Sequence, residues 1–124
     1  PINTYNATFY LGDYVTLTDT FLGKKGILDI TYNPLRYNET RAKEHFKQVK
    51  KMLEAFEYWF GPYPFYEDGY KLVDVSNTGM EHQSAVSYGN WYKPGYRGRD
   101  ASGTGFGMKW DMGWMHDILN QNLL

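Results

Sequence analysis

The sequence has no cysteine and only three histidines, His45, His82 and His116. A disulfide framework, a thiolate metal site and a thiol nucleophile are thereby excluded, while the redox compartment stays open. An excess of charge is missing too. With 13 basic and 14 acidic side chains the net charge is -1, which gives no field to hold a phosphate backbone or an anionic membrane surface. Nucleic acid is not an expected partner. No apolar run approaches the roughly 20 residues of a membrane span, and Pro1-Ile2-Asn3-Thr4 has neither a basic head nor an apolar stretch behind it.

What is abundant is aromatic side chain, 19% of the chain with 12 Tyr and 4 Trp. This reads first as a tyrosine-rich, β-containing core, and second as a sugar-stacking or peptide-binding surface. At 124 residues the chain is sized for one folding unit. Ala7 to Leu11 and Tyr14 to Leu17 are β-branched and aromatic runs split by Gly12-Asp13, which predicts a hairpin. After a turn-like Gly23 to Gly26, the stretch Ile27 to Tyr32 alternates, with Leu28, Ile30 and Tyr32 on one face.

From Asn38 to Phe60 the period becomes helical. Ala42, Phe46, Val49, Leu53, Phe56 and Phe60 form the apolar stripe, Lys43, Lys47, Lys50, Lys51, Glu54 and Glu57 the polar side, and Asn38 a suitable N-cap. Gly61-Pro62 stops it. Two further strands are expected at Tyr70 to Val75 and Ala85 to Tyr88, then an irregular loop from Gly89 to Gly107, then a helix from Met108 to Leu123 weakened by Gly113. The expected class is α+β: a small mixed sheet, one long amphipathic helix and a terminal helix.

Spacing alone offers little chemistry. Gly103, Gly105 and Gly107 lack the Lys-Ser/Thr and the preceding strand of a phosphate loop, so they read as a turn. His45 borders the apolar stripe, where a packed or surface histidine is the ordinary outcome. Glu81 and His82, adjacent on a strand edge, face opposite ways and form no local chelate. His116, Asp117 and Asn120 echo the zincin HExxH motif, in which two histidines at i and i+4 hold zinc and the glutamate acts on the bound water. Here an amide replaces the second imidazole, and the acid is one methylene shorter.

Two longer segments carry a resemblance. Phe60 to Val73 reads FGPYPFYEDGYKLV and Gly79 to Asn90 reads GMEHQSAVSYGN. In order and spacing they resemble the zinc aminopeptidases of the alanyl aminopeptidase and leukotriene hydrolase family, gluzincin metallopeptidases, in a bacterial branch with GMEH where others have GAMEN. The similarity extends from about Thr4 to Asp111. It implies a partial thermolysin-like catalytic domain: residues 1–37 a strand-rich junction, 38–107 the front of the peptidase-like domain, and 108–124 a divergent helix in place of the zinc helix.

By that resemblance Glu81 binds the free α-amino group of a peptide, with Gly79, Met80 and His82 as its strand-edge companions. Lys109-Trp110-Asp111 keeps the register into the zinc helix, so His116 falls at the first ligand position and Asp117 at the general-base position. Asn120 replaces the second ligand. The family's third ligand, a glutamate, and its transition-state tyrosine come later than Leu124. The resemblance therefore implies zinc in the family, none bound by this chain, and an inactive fragment or degenerate form. Lys109 to Asn120, KWDMGWMHDILN, also resembles a short stretch of glycogen branching enzymes, as a divergent, spliced or designed tail would. Expected partners are peptide N-termini and missing segments of the same domain. The alternatives are a non-catalytic module for peptide N-termini or a glycan, and a folding fragment.

Overall fold

The computed structural model describes Thr4, residues 8–82 and residues 84–113. Among the described residues the fold is α+β, with a four-stranded mixed sheet and two helices. Strands β1 (Leu17–Gly23), β2 (Gly26–Asn33), β3 (Tyr70–Asp74) and β4 (Ala85–Tyr88) stand side by side in that order. β1 and β2 are antiparallel, whereas β2, β3 and β4 run parallel. The helices α1 (Glu39–His45) and α2 (Gln48–Phe60) fill the crossover between β2 and β3.

The hairpin lies elsewhere than expected. β1 and β2 pair from Leu17↔Tyr32 to Gly23↔Gly26, so the two-residue turn is Lys24-Lys25. Gly26, at φ +111°, supplies the backbone freedom at its exit. Residues 8–16 contain no strand; Tyr14 makes only an isolated bridge to Leu35. The alternating face of β2 is as anticipated, with Leu28, Ile30 and Tyr32 buried.

The long helix is broken in two. Phe46 closes α1, its amide bonding the Ala42 carbonyl, and the Val49 amide returns to the Phe46 carbonyl as the new helix begins. No proline or glycine marks the break, so periodicity does not report it. The Phe46 ring instead sits among Tyr32, Tyr88 and Tyr92, at centroid distances of 5.0, 5.3 and 5.6 Å. Asn38 makes no side-chain cap; its Nδ2 donates to Asp74 Oδ2 at 2.8 Å, because a buried carboxylate needs donors more than an exposed helix end does. Phe60 is 63% exposed, and Met52 takes its place in the stripe.

Glu57, assigned to the polar side by its period, is buried. Its Oε2 accepts the Lys24 amide at 2.8 Å and its Oε1 the Tyr66 hydroxyl at 2.5 Å, while Lys24 Nζ bonds the Glu57 carbonyl at 2.8 Å. The carboxylate is paid for by ties to the hairpin turn. The two later strands match their expected positions to within a residue. The helix expected from Met108 does not start there: Gly107–Lys109 is a 3-10 turn, Trp110 is extended, and helical geometry begins at Gly113. Residues 114–124, with His116, Asp117 and Asn120, lie outside the described residues.

Candidate functional site

The segment Gly79 to His82 returns alongside β4. Met80 pairs with Ser87 in both directions, its amide to the Ser87 carbonyl at 3.1 Å and the Ser87 amide back at 2.9 Å. This is a single bridge at the sheet edge and not a full strand. Gly79, Met80, Glu81 and His82 are each partly buried, and the His82 carbonyl accepts the Ala85 amide at 3.3 Å. Gly89 lets the segment approach: a Cβ there would overlap the Asn77 carbonyl and the Gly79 amide. Tyr10 reaches the same strand, with its hydroxyl 2.6 Å from Ser87 Oγ.

Beneath this edge lies a buried polar network. Asp111 is fully buried. Its Oδ2 accepts the Tyr88 hydroxyl at 2.5 Å and lies 2.6 Å from His45 Nε2. Its Oδ1 accepts Asn90 Nδ2 at 2.7 Å and the Gly113 amide at 2.8 Å, and its own amide donates to Gln48 Oε1 at 3.0 Å. Four donor groups thus surround one carboxylate, as burial of a charge requires. His45, at the C-terminal end of α1, also faces the negative pole of that helix.

Asn90 organises the neighbouring loop. Its Nδ2 lies 2.9 Å from both the Lys93 and Gly95 carbonyls, and its Oδ1 accepts the Arg97 amide at 2.6 Å. Trp91 and Tyr92 follow at φ +53° and +58°, two left-handed residues in a turn closed by the Lys93 amide on the Asn90 carbonyl. That pattern usually selects Asn and Gly. Here it is held from outside: the Tyr92 amide donates to the Tyr88 hydroxyl at 2.8 Å, and the Tyr92 hydroxyl to Asp74 Oδ2 at 2.9 Å. Burial, and then the Asp111 charge, push the Tyr88 phenol far up; burial and Asp74 do the same to Tyr92.

The edge segment and the network meet. Gly79, Gly89, Asn90, Arg97 and Gly113 line one small cavity of about 20 Å³. Gly113 is at this contact because a Cβ would come within 2.6 Å of Asn90 Cβ. Its low helix propensity is therefore offset by close packing.

No protein-family model matches the chain, and no curated protein matches it. The small cavity brings Gly79 together with Asn90 and Gly113, Met80 bridges Ser87, and His116 and Asp117 lie outside the described residues. His45, Tyr88, Asn90 and Asp111 went unread as a unit in the sequence. A lone acid flanked by Trp110 and Met112 was the one available signal. Among the described residues no three His, Asp or Glu side chains gather to hold a metal ion, and no helix is long and apolar enough to cross a membrane. In the remaining set, His116, Asp117 and Asn120, the neutral amide is a poor zinc donor, so these residues do not fit a zinc centre.

Proposed function

We propose that this chain is related to the thermolysin-like catalytic domains of zinc aminopeptidases and that its retained activity is recognition of peptide N-termini by Glu81. The observation that carries the reading is the Met80–Ser87 bridge, which lays the Gly79 to His82 segment against the sheet edge. A backbone tethered there holds Glu81 at the sheet edge, and a negative charge at that place rewards a protonated terminal amine that an internal peptide bond lacks. Cleavage is not expected of this chain, because Asp117 and Asn120 replace the acid and the imidazole that zinc chemistry requires.

Calorimetric titration with a free-amine tripeptide and its N-acetylated analogue tests the proposal. The free amine should bind about tenfold more tightly, a difference of about 1.4 kcal/mol. Glu81→Gln should erase that preference with little loss of stability, since Glu81 is not in the buried core. Equal binding of both peptides to the unsubstituted protein would refute amine recognition. Release of an aminoacyl anilide by zinc-supplemented protein would refute the loss of catalysis.

A further inference from the structure

The break between α1 and α2 opens a cleft of about 560 Å³ that shares no lining residue with the Gly79 cavity. Its walls include Arg41, His45, Gln48, Lys51, Tyr92 and Trp110. Arg41 lies over the Tyr92 ring, 5.4 Å from its centroid, and Lys51 over the Trp110 ring at 5.9 Å. These contacts orient the two cations without neutralising them, because a ring face supplies a quadrupole and no counter-charge. A third cation, Lys47, is matched by Glu44 within the cleft at 2.6 Å. Among the described residues neither Arg41 nor Lys51 forms an ion pair.

The floor is fixed as well. Gln48 Oε1 is occupied by the Asp111 amide, which leaves the amide nitrogen of Gln48 as the donor end. His45 is held by buried Asp111. The cleft thus combines two uncompensated cations, a donor-directed amide and the 37% exposed indole of Trp110. Its volume falls in the range of small-molecule sites, roughly 300–1,000 Å³, and exceeds what a bare inorganic anion fills.

From this we infer that the cleft at the α1–α2 break binds a small aromatic oxyanion, an aryl phosphate or an aryl carboxylate. The oxyanion bridges Arg41 and Lys51, and its ring lies against Trp110. The site does not depend on amine recognition by Glu81, so the failure of either leaves the other standing.

The test is calorimetric titration of the 124-residue protein with phenyl phosphate, benzoate, inorganic phosphate and benzylamine. At least one aryl anion should bind, and which of the two binds more tightly identifies the head group; inorganic phosphate should bind more weakly and benzylamine not at all. Arg41→Ala and Lys51→Ala, both at exposed positions, should each weaken the aryl anion about fivefold, as expected for one partly solvated charge contact. Lys51→Arg should retain binding, and Lys25→Ala at the hairpin turn should change nothing. Absence of aryl anion binding, or an equal loss in Lys25→Ala and Lys51→Ala, would overturn the site. Inorganic phosphate binding as tightly as phenyl phosphate would overturn the aromatic class.

Discussion

Asp111 shows how much one side chain can organise. Its carboxylate joins α1 through His45, β4 through Tyr88, the following loop through Asn90, and the start of the last segment through the Gly113 amide. Replacing it by alanine strands several buried donors at once, each of which then pays its desolvation without a partner. Asp111→Ala should cost about 3–5 kcal/mol, read as a lower urea midpoint. Asp111→Asn keeps the shape and one acceptor oxygen, so its loss should be smaller. Identical midpoints for the alanine variant and the unsubstituted protein would mean that the network contributes nothing net. Trp91 and Tyr92 carry a related lesson, since two left-handed non-glycine residues cost of order 1–3 kcal/mol each and persist only where surroundings impose them.

At the scale of elements, α2 and the β1–β2 hairpin are joined by Glu57. Its carboxylate receives the turn amide of Lys24 and the hydroxyl of Tyr66, whose phenol burial and this carboxylate push up to about 12. Glu57→Ala should destabilise by about 1–3 kcal/mol and speed hydrogen exchange at the Lys24 amide, while core amides of β3 change only with global stability. Unchanged exchange at Lys24 would show the tie to be unimportant. Gly23 sits where any Cβ would overlap Tyr66 Oη, so Gly23→Ala should disturb the same corner. Of this arrangement the sequence disclosed the helix and the strand, because 3.6-residue and two-residue periods report which face is apolar. It misplaced Glu57 and missed the break at Phe46, because those follow from partners across the sheet.

For the molecule as a whole, the shared feature is phenol held wholly or partly out of water. Tyr32, Tyr63, Tyr66, Tyr88 and Tyr92 all have their pKa raised, in each case chiefly by burial. The folded protein therefore holds these protons more tightly than the unfolded chain, whose phenols titrate near 10. The stability they contribute is complete below that value and falls as pH rises above it, for Tyr66 across about 10 to 12. The urea midpoint should decline from neutral pH to about pH 11, with tyrosinate absorbance rising together with unfolding. A flat midpoint over that range would contradict the burial of these hydroxyls. The sequence by itself determined the α+β class, the inward face of β2, the positions of β3 and β4 almost to the residue, and Gly79 to His82 as a segment worth inspecting. Those properties are local, set by side-chain periodicity and turn chemistry. Only the tertiary structure decided that the helix breaks at Phe46 and that His45 meets Asp111. Each of these depends on a partner distant along the chain, and a buried charge or a large ring takes its position from the groups that surround it in space.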